Sequence, residues 1–169
     1  MSQVETPTFK PGDDPTPFLS RPDALYEVVD GQVVEKPPMG IKAALVATEL
    51  LFALRLFLER HRMGLAVSAG VFILDAQGDL RRRPAVAFVS HERWPASRPI
   101  PQEGDWDVIP DLAVEVVSPH DTHAEVVRKI HEYFRHNVRQ VWSVEPLSET
   151  VSVYSSPIQV HILGPDDEI

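Results

Sequence analysis

The sequence predicts an α/β domain, and three observations carry that expectation. Residues 25–35 alternate apolar and polar side chains around Asp30-Gly31, the dipeptide that supplies the positive φ angles of a tight hairpin turn. Residues 41–62 form a helix of about six turns, with Leu50, Leu54, Phe57 and Leu58 at helical spacing. An apolar run bounded by Pro110 and Pro119 is followed by a helical segment and then by Val138 to Val144, which reads as strand, helix, strand. At 169 residues the chain is one domain by length.

Taken in order, residues 1–22 hold Pro7, Pro11, Pro15, Pro17 and Pro22 with Gly12, Asp13 and Asp14. That composition predicts a flexible Pro-rich arm, leaving 23–169 as the folded domain. After the hairpin, Pro37-Pro38-Met39-Gly40 stops the second strand and the first helix follows. Gly64 ends that helix, and residues 65–74 are rich enough in β-branched and aromatic side chains to form a strand. A turn at 75–79 leads to a further strand over 83–90. Residues 91–109, with Trp94, Pro95, Pro99, Pro101, Gly104 and Trp106, form a long irregular connection of the kind that often carries function. The central strand lies within 110–119. Asp121 or Thr122 caps the next helix and Asn137 closes it. Strands over 138–144, 150–154 and 158–163 complete the chain, before a turn at Gly164.

Composition removes several chemistries. The absence of cysteine excludes disulfides, thiolate metal sites and a cysteine nucleophile. No stretch approaches the ~18 apolar residues that span a bilayer, and the polar start is no signal peptide, so a cytoplasmic protein is expected. Ser118-Pro119 lacks the glycines of a nucleophile elbow, and there is no Gly-rich phosphate loop. A net charge of -9 argues against a general nucleic-acid coat but leaves room for a nuclease, whose acids gather around a metal. Arg81-Arg82-Arg83, and Arg128, Lys129, His131, Arg135, His136 and Arg139, are basic clusters that read as solvated surface or as phosphate contacts. His120 and His123 could converge at a helix start, yet no third zinc-type ligand is spaced beside them, which favours plain capping.

The residue that asks for an explanation is Glu115, an acid inside the apolar run PDLAVEVVSP. A buried carboxylate needs a cation, a hydrogen-bond network or a metal. Asp111 shares its strand face but stands about 13 Å away, too far to share an ion. A second acid must therefore come from a neighbouring strand or a helix passing over that face. In the following helix Glu125, Lys129 and Tyr133 lie four apart on one side. Lys129 either meets the Glu115 region, where it could stabilise phosphate oxygens, or forms a surface pair with Glu125. Tyr133 reads as packing in the second case. Glu49, among apolar neighbours on the first helix, is either an edge residue or an inward-facing functional acid.

The ordered set LYEVVDGQVVE, RRRPAVAFVS, PDLAVEVVSP, the helix with Lys129 and Tyr133, and VWSVEP resembles the Uma-two family of restriction endonuclease-like proteins, within the PD-(D/E)XK nuclease superfamily. The resemblance implies a restriction-endonuclease-like mixed β-sheet flanked by helices and preceded by a β-hairpin. It also implies magnesium or manganese as cofactor, DNA as partner and a homodimer as a compatible assembly. On that resemblance Glu115 is the metal ligand, Glu115, Lys129 and Glu125 form the catalytic set, and Glu27 and Glu35 match recurring acids of the first hairpin; Glu49, singled out by its apolar surroundings on the first helix, joins Glu27 and Glu35 as a candidate supporting acid. Three positions depart from the pattern. Pro84-Ala85 stands where the family has Pro-Asp, GIKAAL carries no histidine at the first helix, and the family extends past GPDDEI, so the C-terminus reads as short. Asp79, Glu49 or Glu27 would have to replace the missing acid. The alternative is an inactive nuclease-fold module that binds nucleic acid or protein.

Overall fold

The computed structural model describes residues 13–20 and 23–168. Most of the expected Pro-rich arm lies outside them. Within its described part, Thr16–Phe18 forms a single 3-10 turn.

Among the described residues, ten strands divide between two sheets. The smaller is antiparallel and built from β1 (Leu25–Val29), β2 (Gln32–Lys36), β4 (Phe72–Ile73) and β5 (Arg81–Arg82), in the order β2-β1-β5-β4. The larger joins β3 (Gly64–Ser68), β6 (Val86–Ser90), β7 (Leu112–Val116), β8 (Gln140–Glu145), β9 (Thr150–Ser156) and β10 (Gln159–Leu163), in the order β10-β9-β8-β7-β6-β3. Among these ten strands only neighbours β7 and β8 run parallel, because helix α2 (His123–Arg135) carries the chain back between them. Helix α1 (Ile41–His61) precedes β3. The sheet is mixed and flanked by helices, as the resemblance implied.

The β1–β2 hairpin turns through Asp30 at φ 51 and Gly31 at φ 72. One expected strand is instead divided between the sheets, and a second is preceded by a short strand of the other sheet. Residues 65–74 split at Ala69, which takes φ 54, a left-handed conformation that ends β3 before β4 begins. Residues 83–90 begin one sheet later than expected: Arg81–Arg82 pair with Phe72–Ile73 in the small sheet. Pro84, which cannot donate to a ladder, then hands the chain over to β6. The Ala69 amide donates to the Ala85 carbonyl at 3.2 Å, so the two crossings are tied together.

Gly64 does not end α1, contrary to expectation. Arg62 does so in the left-handed conformation, its amide donating to the Leu58 carbonyl at 2.8 Å. Gly64 starts β3, where a Cβ would collide with the Val89 carbonyl oxygen.

Side-chain alternation on β6 and β7 separates two apolar cores. Ala87, Val89 and Ala113 pack with Ile130 and Tyr133 of α2. Val86, Leu112, Val114 and Val116 pack with Ala43 and Ala47 of α1. The helices therefore cover opposite faces of the large sheet. Trp94 and Trp106 from the long connection enter the α2-side core, with ring centroids 5.3 Å apart at an interplanar angle of 83°. That connection serves packing here, since large aromatic surfaces gain most from burial.

Candidate active site

Strand β7 is buried along its whole length between two neighbours, so the Glu115 side chain has no route to bulk water along the sheet. Its partners come from α2. Thr122 and Glu125 start that helix with a reciprocal capping box, each bonding the other's backbone amide. From this start, Lys129, Ile130 and Tyr133 fall on the inward side and are buried. The Lys129 ammonium donates to Glu115 Oε2 at 3.0 Å, and the Tyr133 hydroxyl donates to Glu115 Oε1 at 2.6 Å.

A second acid reaches the same lysine from the other sheet. Glu27 on β1, 1% exposed, places Oε1 at 3.5 Å from Lys129 Nζ. Its Oε2 accepts from Arg82 Nη1 at 2.7 Å, and its Oε1 accepts from the Arg83 amide at 3.2 Å. Arg82 also donates through Nε to Glu132 Oε2 at 2.9 Å and pairs with that carboxylate through its second terminal nitrogen. The network thus joins β1 and β5 of the small sheet to β7 of the large sheet and to α2. Three carboxylates face two buried cations, and Arg128 stands at the rim, 3.8 Å from Glu132.

The electrostatics follow from this packing. Burial alone would lower the Lys129 ammonium, but the charges of Glu115 and then Glu27 overcome it and hold the group above the ordinary lysine value. Burial alone would raise Glu27, and Lys129 and Arg82 outweigh it, keeping that carboxyl below its ordinary value. Tyr133 is pushed well upward, first by burial and next by the Glu115 charge, so its hydroxyl remains a donor. The site opens through a cleft of about 270 Å³ between the hairpin and α2, bordered by Glu27, Lys36, Arg82, Glu125, Arg128 and Lys129.

The structure therefore brings together three of the residues singled out in the sequence, Glu115, Lys129 and Glu27. The other three stand elsewhere. Glu125 lies on the cleft rim with its carboxylate committed to Thr122 at 2.7 and 2.9 Å, and this capping bond holds it below the ordinary carboxylate range. Glu35 is exposed and accepts from the Ser20 hydroxyl at 2.7 Å. Glu49 is exposed on α1, across the large sheet from the cleft. Asp79 sits at the hairpin tip, its carbonyl accepting from the Gly31 amide at 2.9 Å.

Arg82, Glu132 and the hydroxyl of Tyr133 were not anticipated. Tyr133 had a signal, its place one turn after Lys129. Arg82 had none, because a run of three arginines reads as surface, yet Arg81 and Arg82 are each 1% exposed. Asp111 pins the opposite end of β7, 3.1 Å from Arg93 and 3.0 Å from Arg139. Asp121 accepts from the Ser118 amide and hydroxyl, each at 2.8 Å, so the segment from His120 to His123 is built for capping. Among the described residues no three acids, histidines or cysteines are grouped to hold a metal, and no helix is long and apolar enough to cross a membrane.

A mixed sheet with a strand glutamate, a lysine supplied by the crossover helix and a preceding hairpin defines a restriction-endonuclease-like fold. The chain belongs to the Uma2 family, described as "Putative restriction endonuclease", whose model matches residues 15–169. A search of curated proteins finds no match. Among solved structures the chain is similar to a "putative nuclease belonging to DUF820" from Anabaena variabilis, with a TM-score of 0.67 and 20% identity, over 85% of this chain and 78% of that one. At that identity the likeness speaks for the fold.

Proposed function

We propose that this protein takes a DNA phosphodiester into the cleft between the β1–β2 hairpin and α2 and hydrolyses it with the help of magnesium or manganese. The observation that carries this reading is the convergence of Glu115 and Glu27, from two different sheets, on one Lys129 ammonium at 3.0 and 3.5 Å. Glu115 and Glu27 would hold a hard divalent ion, which accepts one or two carboxylates and keeps several waters, once it took over the carboxylate oxygens that now face Lys129. When bound, the ion would polarise the phosphate and acidify a water. The protein's own part is positional. Lys129 offers positive charge where a pentavalent phosphate gathers negative charge, Tyr133 fixes Glu115, Arg82 fixes Glu27, and Lys36 and Arg128 at the rim attract the phosphate backbone.

One observation favours a second reading, a catalytically silent module that keeps the cleft for binding. Val86 pairs with Val114 in the antiparallel ladder, so Ala85 is the next position towards Glu115, where a second strand acid would stand. Ala85 is instead buried in the apolar core beneath α1.

Nicking of supercoiled DNA with magnesium or manganese separates the two readings, with Glu115→Ala as the control. Metal-dependent nicking that disappears in the control supports the hydrolase. A folded protein that binds DNA without cleaving it, and loses affinity in Lys36→Ala, supports the silent module.

A further inference from the structure

Helix α1 buries a narrow stripe, Ala43, Ala47 and Leu58, against the large sheet. At about 100° per residue, Ile41, Leu45, Phe52 and Leu56 fall within about 60° of one another on the opposite side of the helix. Their exposures are 80%, 60%, 64% and 43%. An amphipathic surface helix would carry charged side chains there. The largest apolar patch on a monomer, about 300–600 Å², is often functional.

We propose that this face binds a second copy of the same chain, the two α1 helices packing antiparallel about a two-fold axis that passes between Thr48 and Glu49. The spacing of the stripe selects that occupant. A two-fold at this point sets Leu45 of one copy opposite Phe52 of the other, and Ile41 opposite Leu56, so every apolar side chain meets an apolar side chain. Such self-complementarity is what an isologous interface requires. The stripe spans about 22 Å of helix, long enough for both pairs on each side of the axis. Leu45 also borders an open, mainly apolar groove of about 530 Å³ that continues over Val46, Leu50, Ala53, Val144 and Val151 with Glu49 at its edge, wide enough to receive the ring of Phe52 from the second copy. The four side chains expose on the order of 500 Å² per copy, so a symmetric pair covers on the order of 1,000 Å² before its flanks are counted, the lower bound of specific association. Homodimers were compatible with the family resemblance; the structure assigns the surface. The proposal is independent of the nuclease reading, because α1 and the cleft lie on opposite faces of the large sheet and the two clefts of the dimer would face outwards.

Sedimentation equilibrium of the full chain at micromolar concentration is the test. The expected result is a dimer that dissociates on the order of 30-fold or more readily in a Leu45→Glu, Phe52→Glu variant, with unchanged far-ultraviolet circular dichroism. Should that variant fail to fold, Thr48→Cys decides: the chain has no other cysteine, and a short bis-maleimide should join two copies at Thr48→Cys but not at Ser148→Cys. A monomeric native chain would leave the α1 face to a different protein and overturn the proposal. So would a dimer that survives the double substitution, or cross-linking that is equal at the two positions.

Discussion

The two faces of the large sheet solve burial in opposite ways. Beneath α1 the core is alanine and aliphatic side chains with Trp142, and among the described residues none of the buried charged side chains comes from α1. Beneath α2 an apolar core of similar kind is interrupted where Glu115 and Lys129 meet Glu27 and Arg82. The comparison teaches that the charges are not a stability device. Replacing a buried ion network by apolar side chains is often neutral or stabilising, whereas removing one member leaves an uncompensated charge. Packing alone does not require the charges on the α2 side, and the proposed chemistry of the cleft would give them a use.

The largest break in this contrast should come from Arg82→Met. It strips the shared cation from Glu27 and Glu132, both of which Arg82 contacts directly, and should cost about 3–5 kcal/mol, read as a fall in the urea midpoint. A loss under about 1 kcal/mol would mean that the network is far wetter than its burial indicates. Next in size, Ala85→Asp places an acid at the boundary of the two faces. Without metal at neutral pH it should destabilise by about 2–4 kcal/mol. If the introduced carboxylate reaches the Glu115 side, manganese should restore much of that loss and bind more tightly by calorimetry; no gain in metal affinity would place position 85 with the α1 core alone.

The smallest effect is the pH profile. Glu27 is held below its ordinary value when folded, so its contribution is present above the unfolded carboxylate range and is lost as pH falls through the folded value. Lys129 is held above its ordinary value, so its contribution is full below about pH 10 and declines as pH rises through the folded value. Stability should therefore be flat from about pH 5 to 10 and fall on both sides. Glu27→Gln, measured by chemical denaturation across the acid limb, should flatten that limb; an unchanged slope would assign it to other carboxylates.

How much of this was legible in the sequence depended on whether the signal was local. Asp30-Gly31 fixes its hairpin within a few residues, and Glu115 is conspicuous because an acid in an apolar strand has no packing reason to be there. Lys129 and Tyr133 follow from helical periodicity once the Thr122 cap is seen. Glu27 looked like one of several hairpin acids; only the docking of the small sheet separates it from Glu35, eight residues later on β2. Arg82 was illegible because its burial depends on partners in β1 and α2. The division of residues 65–74 between sheets, and the small-sheet strand Arg81–Arg82 just before β6, were hidden for a related reason. β-propensity marks a strand but not its sheet, and Ala69 adopts a positive φ with no glycine to announce it. The outer face of α1 was not legible because apolar periodicity reports a stripe without saying what covers it: Phe57, which shares the helical spacing of Leu50, Leu54 and Leu58, is half exposed.

The paired crossings at Ala69 and Ala85 also govern the order in which this molecule can be assembled. Lys129 and Glu115 lie 14 residues apart in the chain and can meet as soon as β7 and α2 form. Arg82 must find Glu27 across 55 residues and Glu132 across 50, and long closures are slow because their entropy is lost before any contact repays it. The half-site on the large sheet is therefore expected early in folding and the acid from the hairpin late, an order that φ-value analysis at Glu115 and Glu27 would read. A nascent or partly unfolded chain would carry the lysine and its strand glutamate without the second carboxylate, and so would have no complete cleft until its last tertiary step.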